Sequence, residues 1–256
     1  MFAVLLLAAC FTVPETGRSA LNLFPEGQLA AMSLQGFSEM KAKTRISDSR
    51  QYNRMVQRVG ARIAEVVKDD IPNADWEFVV FEDDKQINAF AMPGGKVGVY
   101  TGMFRVADND NDLAIVMGHE IAHVAAKHGN ERVSQQMLIQ AVGMGVEVAV
   151  KERDEKLKQA VMTAYGMGST LGVALPFGRK QESEADHIGL MYAARAGYDP
   201  RAAIPFWERM GEASKGKSPP EFLSTHPSGI SRIRQLRQLM PEAIKAYQQT
   251  SPQAPH

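Results

Sequence analysis

Residues 113–127 read LAIVMGHEIAHVAAK. The run is apolar nearly all round, the pattern of a helix buried inside a protein. Asp110 or Asn111 is placed to cap its start, and His128-Gly129 to stop it. Within it, His119 and His123 stand four apart on one helical face, so both imidazoles can reach a single zinc ion. Glu120 follows the first His, where its carboxylate can face a metal-held water. Zinc lowers the pKa of such a water toward about 7, and the carboxylate takes its proton as it attacks a carbonyl.

A catalytic zinc takes three protein ligands and keeps one position open. His128 is a poor third. At about 100° per residue it lies about 180° round the helix from His119 and about 140° from His123. It reads better as a cation at the helix C-terminus. Glu182-Ser183-Glu184-Ala185-Asp186 offers more, on a second expected helix over about 179–195. Glu182 and Asp186 are four apart and share a face. One can ligate zinc while the other accepts the N–H of a ligating His. Glu184 points roughly 160° away from Asp186, toward solvent or a cation.

These stretches, with Thr225-His226-Pro227 and the following Arg232-Ile233, resemble metallopeptidase family 48. That group includes the CAAX prenyl endopeptidases and the HtpX heat-shock protease. The resemblance covers roughly residues 41–239. It implies a gluzincin with one zinc ion, Glu182 as third ligand and Asp186 as the carboxylate behind a ligating His. His226 matches a His near the metal in relatives, where it either steadies the oxyanion or fills the open zinc position in a latent state. Asn88-Ala89-Phe90-Ala91-Met92 resembles the edge strand that pairs with an extended substrate. Gly178 stands where relatives often carry Ser, and the membrane helices of the HtpX and CAAX branches are not expected here. The remaining likeness is to the compact lipoprotein branch.

Outward from these motifs the chain alternates in a readable way. Met55, Val56, Val59, Ile63, Val66 and Val67 give residues 47–68 helical spacing. Residues 76–81 (WEFVVF) form a strand, and Pro93-Gly94-Gly95 turns between strands at 87–92 and 96–101. Helices are expected at 30–43, 131–150, 152–172, 201–211 and 228–247, with Pro176-Phe177-Gly178 as a break, residues 215–220 as a loop and 249–256 as a disordered tail. The Met- and Gly-rich stretch 133–177 suits either core packing or a lid. The fold class is α+β, a mainly helical zincin-type domain over about 29–248 with a small sheet.

Composition sets wide bounds. The 256 residues carry 29 Lys+Arg against 29 Asp+Glu, so no nucleic-acid partner is indicated. Cys10 is the lone cysteine and follows the apolar run 2–9. Leu7-Ala8-Ala9-Cys10 resembles a bacterial lipobox, implying a signal segment over 1–10, lipidation at Cys10, a tether over 11–28 and a periplasmic, outer-membrane-anchored protein. Membrane contact is expected only through that anchor. The expected activity is zinc-dependent endoproteolysis of unfolded or misassembled cell-envelope proteins. The alternative is a chaperone-like module that grips extended clients and holds a latent or structural zinc.

Overall fold

The computed structural model describes residues 10–213, 221–226 and 230–250. The N-terminal strands β1 (Cys10–Thr12) and β2 (Ser19–Leu21) pair antiparallel, with Phe11 opposite Ala20. Helices α1 (Glu26–Lys43) and α2 (Arg50–Val66) follow. Strands β3 (Glu77–Phe81), β4 (Ala89–Met92) and β5 (Lys96–Tyr100) form a three-stranded sheet in the order β3-β5-β4, parallel between β3 and β5 and antiparallel between β4 and β5. Beyond it come α3 (Asp110–Ala125), α4 (His128–Ala149), α5 (Glu155–Ser169), α6 (Leu175–Arg195), α7 (Ala203–Ala213), α8 (Glu221–Thr225) and α9 (Ile230–Thr250). The α+β expectation holds: a small mixed sheet with helices packed around it.

Local chemistry accounts for most boundaries. Ser49 caps α2 by accepting from the Tyr52 amide, and the helix buries Met55, Val56, Val59 and Ile63 on one face. Gly94 and Gly95, both at φ 87°, make the β4–β5 turn that a side chain would strain. At α3 the cap is Asn109, one residue before the expected pair; its side-chain oxygen accepts from the amides of Asn111 and Asp112.

The centre of the molecule is the crossing of α3 and α6. A Cβ on Gly118 would come within 2.7 Å of the Gly189 carbonyl oxygen, and one on Gly189 within 2.6 Å of the His119 amide nitrogen. Two glycines therefore let the backbones touch, which brings residues 119–123 against residues 182–186. Leu113, Met117, Ile121 and Ile188 are fully buried around this contact.

Three expectations change. Residues 11–28 are no tether. Val13 and Ala20 sit in the core at 1% and 2% exposure, and Arg18 reaches 2.6 Å from Glu131, so the β1–β2 hairpin is docked by apolar burial and charge. Residues 155–195 run as one helix through the expected break. Pro176 supplies no amide hydrogen, and the ladder widens to π spacing at Thr170–Ala174 just ahead of it. Finally, Gln249 and Thr250 belong to α9. Residues 1–9, 214–220, 227–229 and 251–256, which include the apolar leader, Pro227, the 215–220 loop and most of the expected tail, lie outside the described residues.

Candidate metal centre

His119 and His123 project from one face of α3, and their Nε2 atoms lie 3.2 Å apart. Glu182, delivered by α6, places Oε2 3.4 Å from His119 Nε2 and Oε1 3.4 Å from His123 Nε2. Four ligands at about 2.0–2.1 Å from a tetrahedral zinc stand about 3.4 Å from one another. The three donors thus already have the spacing that a single zinc requires. Glu120 Oε1 is buried without a hydrogen-bonding partner, 4.0 Å from His119 Nε2. Two imidazoles and a carboxylate are a zinc donor set, so the residues fit the ion.

His226 joins this cluster. Its Nδ1 is 3.2 Å from His119 Nε2 and 2.8 Å from Glu182 Oε2, and its Nε2 is 3.6 Å from Glu120 Oε1. The donor atoms of His119, His123, Glu182 and His226 all lie within 4.8 Å of one another.

Around the donors stands a ring of charge. Asp186 Oδ1 approaches His119 Nδ1 to 2.9 Å, off the line of a straight hydrogen bond. Arg232 of α9 donates to Asp186 Oδ2 at 2.6 Å and to Glu182 Oε2 at 3.1 Å, and its guanidinium stacks 4.0 Å from the Trp207 ring. These contacts set the protonation states. Burial alone would depress His119, but Asp186 and Glu182 overcome it and push its pKa up to about 9. Burial, reinforced by the neighbouring His119, holds His123 well below its ordinary range. Burial raises Glu120, even with His226 and His119 pulling the other way. Glu182 moves downward, because bonds from His119 and His226 outweigh its desolvation.

His128 is where the sequence reading fails. It is the first residue of α4, not a cation ending α3, and it is 1% exposed. Burial pulls its pKa down against the attraction of Glu184, which favours the neutral ring. Its Nε2–H donates to Glu184 Oε2 at 3.0 Å, which leaves Nδ1 to accept from His123 Nδ1, 2.8 Å away. That bond orients the His123 ring and frees its Nε2 lone pair for the metal. Glu184 is paired in turn with Arg18 at 2.7 Å, so the N-terminal hairpin is tied to a candidate zinc ligand through two side chains. Spacing along α3 excluded His128 as a ligand. It could not report that the chain turns at Lys127, at φ 54°, and carries His128 back beside His123.

A cleft of about 620 Å³ opens over the cluster and is lined by Glu120, His123 and His226. Strand β4 is an edge of the sheet, and Asn88, Ala89, Phe90 and Ala91 line the same cleft. Met92 packs against the cluster of Phe37, Val79, Phe81 and Tyr100.

Comparison with known proteins agrees with this geometry. Residues 50–240 match Peptidase family M48. The chain is 37% identical over 190 residues to the mitochondrial metalloendopeptidase OMA1 of Schizosaccharomyces pombe, covering 73% of this chain and 53% of that protein. With the human metalloendopeptidase OMA1, mitochondrial, it shares 31% over 261 residues, 96% of this chain and 48% of the other. The Beta-barrel assembly-enhancing protease of Escherichia coli is 29% identical over 230 residues, 88% and 46% respectively. The chain spans about half the length of these relatives. They also correct one expectation. The leader and Cys10 suggested a periplasmic lipoprotein of the outer membrane, whereas the Schizosaccharomyces pombe and human relatives, at 37% and 31% identity, are mitochondrial by name. From the glycine-hinged crossing of α3 and α6, the converging donors and this match over most of its length, the chain belongs to Peptidase family M48.

Proposed function

We propose that the chain is a zinc-dependent endopeptidase that cleaves extended segments of unfolded or misassembled proteins. The observation that carries this reading is the 3.2–3.4 Å triangle of His119 Nε2, His123 Nε2 and Glu182, with the Glu120 carboxylate buried beside it. Zinc, when held by His119, His123 and Glu182, supplies Lewis acidity that acidifies a water and polarises a carbonyl. Glu120 receives the proton of the attacking water and returns it to the leaving amine. Burial raises the pKa of Glu120, which makes its carboxylate a stronger base. The edge of β4 hydrogen-bonds an extended chain through its backbone, which gives grip without strong sequence preference. His226 Nε2, 3.6 Å from Glu120, is placed to donate to the oxygen on which charge develops.

Glu120→Gln keeps the size and removes the base. Casein cleavage by the zinc-loaded variant should fall by about 10²- to 10⁴-fold with zinc content unchanged; a fully active variant would falsify this reading.

The position of His226 favours a second reading of the resting state. With its Nδ1 2.8 Å from Glu182 and 3.2 Å from His119, it supplies a fourth donor, and a site closed by four side chains resembles a structural zinc site. The latent protein would bind extended clients without cutting them. His226→Ala discriminates: faster casein cleavage means that His226 closes the site, and slower cleavage means that it serves the reaction.

A further inference from the structure

The described residues include fifteen large apolar side chains that are exposed, and eleven of them, from Val133 to Leu175, fall on α4, α5, the π turn at Thr170–Ala174 and the start of α6. Helices α4 and α5 form a hairpin. It is closed by the Tyr165 hydroxyl donating to the Ile139 carbonyl and by the Tyr165 ring packing on Gly143. Its outer surface carries Val142 at 56%, Met144 at 62%, Met167 at 60% and Leu171 at 60% exposure. A hairpin standing in water presents polar residues outward; helices that are apolar outside as well as between themselves have another apolar medium around them.

The charge pattern identifies that medium. Residues 159–178 contain no Asp, Glu, Lys or Arg. As helix they extend about 30 Å, the thickness of a bilayer hydrocarbon core. Charges stop at both ends, with the cluster 151–158 (KERDEKLK) at the tip and exposed Arg179 and Lys180 at the base. On α4 the one charge between Arg132 and Lys151 is Glu147, within about a turn of the tip. None of the most apolar 18-residue stretch of the 155–195 helix is buried by the protein. Backbone groups inside a bilayer must be satisfied internally, and two helices with a π turn do so.

We propose that the α4–α5 hairpin inserts into a lipid bilayer, with its charged tip on the far side and Arg179 and Lys180 at the near headgroups. This reading differs from both core packing and a lid, the two alternatives for residues 133–177, and adds a membrane contact to the one expected at Cys10. A placement of the site follows. The cleft is lined by His128, Asn130 and Arg132 in the first turn of α4, so it opens at the root of the hairpin. Bilayer insertion would hold it at the membrane surface, where segments emerging from the lipid are within reach.

The test is cell-free synthesis of the full chain with phosphatidylcholine vesicles containing a minority of phosphatidylglycerol, followed by flotation. The parent should float and resist both high salt and alkaline carbonate. A triple variant, Val142→Gln, Met167→Gln and Leu171→Gln, changes only exposed side chains. Its floating fraction should fall at least tenfold while zinc content and thermal midpoint stay at parental values. The proposal is overturned if the parent remains at the bottom of the gradient, soluble alone or as a dimer, or if salt strips it from the vesicles. Equal flotation of the triple variant overturns it as well.

Discussion

Residues 113–126 and residues 159–175 are both dominated by small and apolar side chains, and both are helical. In the first stretch Leu113, Met117 and Ile121 are fully buried; in the second Met167 and Leu171 are 60% exposed. What separates them is a partner. Helix α3 is covered by α6, which lies on it through Gly118 and Gly189, and by α2, β4 and α7. The α4–α5 hairpin meets β2 and α3 only through the base of α4, and its outer part stands exposed among the described residues. Apolar composition says that a helix wants to leave water, and the rest of the fold decides whether protein or another medium receives it.

The sharpest way to break this comparison is to give each region one methyl group. In Gly189→Ala the new Cβ would sit 2.6 Å from the His119 amide nitrogen and 2.7 Å from the Gly118 carbonyl carbon, both backbone atoms that cannot swing aside. The helices must separate at the point that aligns the zinc donors. We expect a loss of about 3 kcal/mol or more of stability, together with most zinc binding. Gly168→Ala meets nothing within 4 Å. It should be neutral or stabilise by up to about 1 kcal/mol through helix propensity. Thermal melts and zinc titration of the two variants side by side decide the matter; equal responses would erase the distinction.

The same contrast explains how much was legible in the sequence. The pairs His119/His123 and Glu182/Asp186 were legible because helices obey the period of 3.6 and a four-residue spacing is visible in one dimension, while the separate roles of Glu182 and Asp186 came from the family resemblance. The sheet was legible because Trp76 to Phe81 and the Pro93-Gly94-Gly95 turn are local signals. Long-range pairing was not. Nothing near Arg18 announces Glu131 or Glu184, more than a hundred residues away, so the β1–β2 hairpin read as a tether. Likewise the 133–177 stretch had the composition of core and the exposure of something else, and exposure is a property of the assembled fold.

A subtler comparison lies within the site, between residues that hold zinc and residues that hold the ligands. His128→Ala removes the acceptor of the His123 Nδ1–H without removing a donor. The fold should survive, since the α3–α6 crossing is untouched, but His123 becomes free to turn. Loss of such outer partners weakens metal affinity by about 10- to 100-fold. Competition with a chromophoric chelator measures the change, and an unaltered affinity would mean that packing alone fixes the ring.

The smallest expected effect is at the far end of the same chain of contacts, where Glu184 accepts from Arg18 at 2.8 Å and from Thr16 at 2.5 Å. Burial raises the Glu184 pKa, but hydrogen bonds from His128, Arg18 and Thr16 outweigh it and hold the group at about 2, against an ordinary 4.5. A carboxylate depressed in the folded state contributes stability that is complete above its unfolded pKa and is lost as pH falls through the folded one. The docking of residues 10–21 should therefore weaken between pH 4.5 and about pH 2, with Arg18 remaining a cation whose partner has been neutralised. Amide exchange corrected for intrinsic rates should show residues 10–21 opening in that window before the α3–α6 core does. Glu184→Gln, which cannot titrate, should show weaker protection at neutral pH and a flatter response to acid. If the parent and Gln profiles coincide, Glu184 is a bystander, and the hairpin is held by Val13, Ala20 and the remaining pairs of Arg18 with Glu131 and Arg195 with Glu15.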